Sequence, residues 1–106
     1  MKRLDVVLSR DAIADLDNLG AFLMGNGASL ETVMRFLDAI EDRCFKIGNV
    51  PLGGRLRADL APDVRTVPFR RRTIIAYRVG ATSLTILRVF YGGQDYETLM
   101  RSAPGA

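Results

Sequence analysis

Thr73-Ile74-Ile75-Ala76-Tyr77-Arg78-Val79, the turn Gly80-Ala81-Thr82-Ser83, and Leu84-Thr85-Ile86-Leu87-Arg88-Val89-Phe90 form the stretch from which the fold is read. Both runs are rich in β-branched and aromatic residues, and the short link between them suits a hairpin. Alternation puts Ile75, Tyr77 and Val79 on one face of the first strand, with Ile74, Ala76 and Arg78 on the other. The same count in the second strand groups Arg88 with Ile86 and Phe90, and Leu87 with Val89. Just upstream, Val64 to Phe69 alternates Arg65, Val67 and Phe69 against Val64, Thr66 and Pro68. That is a third strand, and Arg70-Arg71-Arg72 occupies the turn that follows it.

Further upstream the period changes from two to that of a helix. Val33, Leu37, Ile40, Cys44 and Ile47 step by 4, 3, 4 and 3 along one face, behind Ser29 as N-cap and ahead of Gly48-Asn49 and Pro51. Before it, Ser9 caps a second helix whose apolar stripe is Ile13, Leu16, Leu19 or Gly20, and Leu23; Gly25-Asn26-Gly27 ends it. So short a link makes an antiparallel helical hairpin. Leu4, Val6 and Leu8 alternate as a first strand. Pro51 to Asp63 is a long polar loop, and Gln94 to Arg101 is a short terminal helix. The order is β-α-α-β-β-β with an α tail: an α+β domain over residues 1–106, with 102–106 as a loose end. A helical hairpin packs on one face of a small, mostly antiparallel sheet.

Composition removes much chemistry. The chain has 106 residues, one cysteine and no histidine. An internal disulfide, a His-ligated metal, a histidine base and a Ser–His or Cys–His nucleophile are excluded. Cys44 lies on the apolar stripe as a small core residue. No uncharged run approaches the roughly 18 apolar residues of a membrane span. Met1-Lys2-Arg3-Leu4-Asp5 reaches an acid too early for a secretory signal, so a cytoplasmic location without membrane association is expected. The basic residues are 13 Arg and 2 Lys, and the halves differ: residues 1–50 carry −2 and residues 51–106 carry +5. A basic second half points to an anionic partner, either nucleic acid or an acidic protein segment.

No catalytic constellation emerges. Asp15, Asp17, Asp38, Glu41 and Asp42 read as exposed helix acids, not as paired active-site carboxylates. Gly53-Gly54 and Gly92-Gly93 lack the strand–loop–helix setting of a phosphate loop. Arg78 and Arg88, in otherwise apolar strands, must each pair with an acid or project toward a partner, because an unpaired buried charge is costly. Arg70, Arg71 and Arg72 form a basic patch, which Arg55, Arg57 and Arg65 extend if the long loop folds over the same edge. No metal and no cofactor is expected.

Several motifs in order carry a resemblance: Leu8-Ser9-Arg10-Asp11-Ala12 with Asp15-Leu16, then Pro51 with Gly54-Arg55, and Leu60 with Asp63-Val64-Arg65. Ile75-Ala76-Tyr77-Arg78-Val79 and Ile86-Leu87-Arg88-Val89-Phe90-Tyr91-Gly92 follow. Together they resemble the ParE branch of the RelE/ParE toxins of bacterial toxin–antitoxin modules, from about residue 4 to 100. The resemblance implies the fold already derived. RelE-type members cut messenger RNA on the ribosome with basic sheet residues and a C-terminal aromatic or histidine. Aligned on Tyr77, one such basic position is kept as Arg65, while two fall on Val67 and Ile74. Arg88 and Tyr91 remain, but general acid–base cleavage needs a complete donor and acceptor set.

The ParE branch implies instead a binder without chemistry of its own. Such a toxin inhibits DNA gyrase, traps cleaved DNA, serves plasmid stabilisation, and is neutralised by a ParD-like antitoxin whose tail folds onto it. Arg65, Arg70, Arg71, Arg72, Arg78, Arg88 and Tyr91 are the expected contact residues. The alternatives are a RelE-like ribonuclease built on Arg65, Arg88 and Tyr91, and a non-toxic member acting only in complex formation and autoregulation.

Overall fold

Ser9 and Ser29 begin the two long helices as their positions predict. In the computed structural model, which describes residues 3–70, 72–92 and 96–102, Ser9 Oγ accepts from Ala12 N at 3.0 Å and Ser29 Oγ from Thr32 N at 3.2 Å. Each cap meets one of the amide groups a helix start leaves unpaired, and Asp11 and Glu31 add negative charge in the first turns. Strand β1 (Asp5–Leu8) leads into α1 (Arg10–Gly25), and α2 (Leu30–Ile47) returns antiparallel to it. Gly20 lets the helices approach closely: a Cβ there would lie 3.3 Å from Leu37 Cδ1.

Then follow β2 (Arg55–Leu56), β3 (Val64–Phe69), β4 (Thr73–Val79), β5 (Ser83–Tyr91) and α3 (Tyr96–Ser102). The sheet order is β1-β5-β4-β3-β2, with β1 parallel to β5 and every other pair antiparallel. The two-residue β2 lies inside the segment expected to be loop. It pairs Arg55 with Thr66 and Leu56 with Arg65, too short a contact to leave a periodic trace in the sequence.

The α1–α2 hairpin covers one face of the sheet. Leu16, Leu19, Ile40, Cys44 and Ile47 pack on Val67, Ile75, Tyr77, Leu84, Ile86 and Val89. The stripe on α2 is the expected one. On α1 Leu16, Leu19 and Gly20 are buried and Leu23 packs against the core as expected, and only the first position differs: Ala12 is fully buried and Ile13 is exposed. The chain leaving β1 is pinned to β5 beside this first turn, where Ser9 N donates to Ile86 O. Leu60, Val64, Ala76, Phe90 and Met100 form a second cluster on the opposite face, under the 57–63 segment and α3.

A β-bulge corrects the expected faces of β5. Ala76 pairs with Arg88 but Tyr77 pairs with Ile86, so Leu87 is an extra residue. Ile86 and Val89 therefore belong to the hairpin-side cluster, whereas Phe90 belongs to the other cluster and Leu87 packs against it. Unbroken alternation had put Ile86 with Phe90 and Leu87 with Val89. Arg88 follows the extra residue, and its guanidinium reaches Asp15 of α1.

Candidate functional site

Strand β1 pairs with β5 only as far as Ile86, and α1 takes over from there. Ser9 N donates to Ile86 O at 2.9 Å, Ser9 Oγ donates to Leu87 O at 2.9 Å, and Val89 N donates to Asp15 Oδ2 at 2.8 Å. One helix start thus supplies hydrogen bonds that a neighbouring strand would otherwise have made. Asp15 does more. Arg88 Nε donates to Asp15 Oδ2 at 2.8 Å and Arg88 Nη2 to Asp15 Oδ1 at 2.9 Å, a two-pronged pair. The side chains are 21% and 13% exposed, so Asp15 is not the exposed helix acid its periodicity suggested. The hydrogen bonds that Arg88 donates to Asp15 raise its pKa and keep the guanidinium charged.

Two other expected contact arginines are also committed within the fold. Arg65 Nη1 donates to Gly54 O at 2.9 Å and to Leu52 O at 3.3 Å. Beside it Tyr77 donates its hydroxyl to Pro51 O at 2.8 Å and accepts from Gly54 N at 2.9 Å. Gly54 has to be glycine here, because a Cβ would overlap the Tyr77 hydroxyl. Burial raises the Tyr77 pKa, so this hydroxyl remains a donor. Arg78, half-buried, donates Nη2 to Pro62 O at 3.2 Å.

Arg57 was read only as a possible extension of the basic patch, and the structure gives it another place. Its guanidinium is buried and donates to Asp59 at 3.0 and 2.9 Å, to Glu97 Oε2 at 2.6 Å and to the Tyr96 hydroxyl at 3.0 Å. This clamp fastens the loop to α3. It also holds the Asp59 carboxyl down at about 2, chiefly through the hydrogen bonds from Arg57. Asp59 at i+2 was a local signal for half of this network. Glu97, 40 residues on, gave none.

The remaining contact candidates meet at one end of the sheet. Arg70, with φ 55°, lies 5.0 Å from the Phe69 ring centroid and 5.4 Å from that of Phe36. Arg72 lies 5.7 Å from the Tyr91 ring, which in turn meets Phe36 at 6.0 Å and Phe22 at 6.1 Å. Arg71 falls outside the described residues. Arg72, Arg88 and Tyr91 border one open groove of about 520 Å³ between α1, β5 and α3, with Leu19, Phe22, Val89 and Leu99 as its apolar surfaces. Arg65 and Arg78 contribute nothing to it.

Among the described residues no cluster of His, Cys, Asp and Glu could hold a metal ion, and no helix is long and apolar enough to cross a membrane. The Cys44 thiol is pushed up to about 12 by burial and stays protonated in the core.

Comparison with known proteins agrees with this architecture. No curated protein matches the sequence. The fold is shared with the chromosomal ParDE toxin–antitoxin system of P. aeruginosa, at TM-score 0.73 and 23% identity over 84% of this chain and 96% of that one. It is shared also with the RelBE2 toxin–antitoxin complex of Mycobacterium tuberculosis, at TM-score 0.63 and 25% identity over 86% of this chain and 100% of that one. The profile of the family described as the ParE toxin of the type II toxin–antitoxin system, parDE, matches residues 6–96. The chain belongs to the ParE toxin family of type II toxin–antitoxin systems.

Proposed function

We propose that this toxin acts by binding and inhibiting DNA gyrase in the cytoplasm, with no catalysis of its own, and that a ParD-like antitoxin holds it inactive. One observation carries the choice over ribonuclease chemistry: the retained members of a RelE-type basic set are occupied by the fold. Arg88 is closed on Asp15, and Arg65 is spent on the carbonyls of Leu52 and Gly54. Ile74 stands where the sheet arginine of the ribonuclease pattern would be. Stabilising charge at a scissile phosphate requires cations aimed at the reacting atoms, and these two are aimed elsewhere. A partner-binding role asks only for surface, and the exposed Arg70 and Arg72 beside the aromatic cluster provide it.

The test is a supercoiling assay with gyrase and the purified chain free of antitoxin, scoring both lost supercoiling and trapped linear DNA. Inhibition with trapped cleavage is expected. Folded protein that leaves gyrase untouched but cuts message on ribosomes overturns the proposal in favour of the RelE-like reading. That reading has its own support in the shared fold with the RelBE2 complex. A chain that harms neither target, and does not slow growth when expressed alone, is a complex-forming member without toxicity.

A further inference from the structure

The α1–α2 hairpin carries a second stripe on each helix, toward solvent. On α1, Ile13, Asp17, Gly20 and Met24 step by 4, 3 and 4; on α2, Leu30, Met34, Leu37, Glu41 and Phe45 step by 4, 3, 4 and 4. The stripes meet at mid-length, where Gly20 faces Leu37 and Val33. Because the helices run antiparallel, Ile13 comes level with Phe45 and Met24 with Leu30, while Asp17 and Glu41 share the middle. Ile13, Met24, Leu30, Met34 and Phe45 are 42–62% exposed, and Asp17 and Glu41 are exposed with them. Single apolar side chains are ordinary on a surface, but a continuous seam of them marks an interaction face. Among the described residues Asp17 and Glu41 form no ion pair, whereas Glu31 and Asp42, elsewhere on α2, hold Arg35 and Lys46.

We propose that this seam is the docking face for a basic amphipathic helix of the toxin's target protein. From Ile13 to Met24 the seam runs about 16 Å, the length of roughly three turns of helix. The fitting helix has bulky apolar side chains at both ends of one face and Lys or Arg between them, opposite Asp17 and Glu41. A groove between two helices with apolar ends and an acidic middle has the chemistry of helix capture. A second copy of the chain is the poorer occupant. A two-fold axis through the seam would set Asp17 and Glu41 against their own copies, where like charges repel. The anionic partner that the basic second half calls for would meet the same two acids, so the seam and the exposed Arg70 and Arg72 suit different partners. Assigning the helix to the gyrase target rests on the function proposed above. The seam itself does not.

The experiment uses the full chain, ¹⁵N-labelled, titrated with a blocked helix-forming peptide that has leucines at both ends of one face and two lysines between them. A version with glutamate for lysine is run at the same concentrations. Amide shifts centred on Asp17, Met24, Met34 and Glu41 are expected. The lysine peptide should bind about five-fold more tightly, the worth of two exposed charge pairs. Asp17→Lys combined with Glu41→Lys should reverse that preference, and Asp42→Asn, on another face of α2, should keep it. Met34→Glu should weaken both peptides. Shifts centred elsewhere, equal binding of the two peptides, or seam shifts that arise on concentrating the chain alone, the mark of a second copy, would overturn the seam. In the supercoiling assay the double lysine variant, melting like the parent, should inhibit gyrase about ten-fold less well. Peptide docking with inhibition untouched by that variant sinks the target assignment alone. A parent chain that leaves gyrase untouched sinks the proposed function, and the peptide shifts decide the seam by themselves.

Discussion

Arg57 and Arg88 on one side, Arg70 and Arg72 on the other, show two uses of one residue type within a small domain. The first pair also lie over rings, Arg57 over Tyr96 and Arg88 over Phe90, but are held by carboxylates: Arg57 between Asp59 and Glu97, Arg88 on Asp15. The second pair lie over rings at an exposed end of the sheet, with Phe69 and Phe36 under Arg70 and Tyr91 under Arg72. A guanidinium fixed by two or more directed hydrogen bonds is part of the scaffold. One resting on a ring face keeps all its N–H donors available, because a cation–π contact uses none of them. Positive charge in the second half of the chain is therefore not one patch. Part of it is structural and already neutralised, and the remainder is presented to solvent.

The sharpest way to break this division is Asp15→Ala. It removes the acceptor of Val89 N together with the partner of Arg88, leaving three partly buried N–H donors, Val89 N and Arg88 Nε and Nη2, without their acceptor. A loss of about 2–4 kcal/mol is expected in urea denaturation, with Arg88→Met adding little once Asp15 is gone. Such non-additivity is the signature of a shared interaction. If the two changes add in full, Arg88 is not held by Asp15 in solution and returns to the list of free contact residues.

The strands and the α2 stripe were legible because each is written in local periodicity: Ile75, Tyr77 and Val79 every second residue, Val33 to Ile47 by threes and fours. What was not legible depends on contacts distant in sequence. The bulge at Leu87 leaves no mark in the one-dimensional pattern, yet it reverses the face of everything after it in β5 and so misplaced Phe90. Asp15 lies off the apolar stripe of α1 and looked exposed, because nothing in α1 announces Val89 and Arg88, 74 and 73 residues away. The choice posed for Arg78 and Arg88, pairing or projection, was the right question. It resolved for Arg88 as pairing and for Arg78 as a single bond to the Pro62 carbonyl.

A second, smaller effect sharpens the carboxylate-held class through pH. The Asp59 carboxyl is lowered from 3.8 to about 2 in the folded chain by its bonds with Arg57. A depressed folded value contributes stability that is present in full above the unfolded value and fades as pH falls toward the folded one. Melting temperature should therefore drop between about pH 4 and pH 2 by more in the parent chain than in Arg57→Met, which lacks the pair. Parallel pH profiles would mean that the clamp of the loop on α3 does not form in solution, and Arg57 would then join the exposed class.

The smallest stability effects belong to the ring-resting arginines. Arg70→Gln should cost about 0.5–1 kcal/mol, the worth of an exposed cation–π contact. Arg72→Gln should fall within about 0.5 kcal/mol of the parent, as surface changes usually do. Their weight lies in what such small numbers permit. A variant that melts like the parent and yet weakens antitoxin capture or gyrase inhibition has lost a contact, since no loss of fold is available to explain it. Arg88 cannot give so clean a result, because changing it alters the groove and removes the partner of Asp15 together. If Arg72→Gln instead costs as much as Asp15→Ala, the Tyr91 ring is a structural support for that arginine, and the distinction between held and presented cations fails at the groove where it matters most.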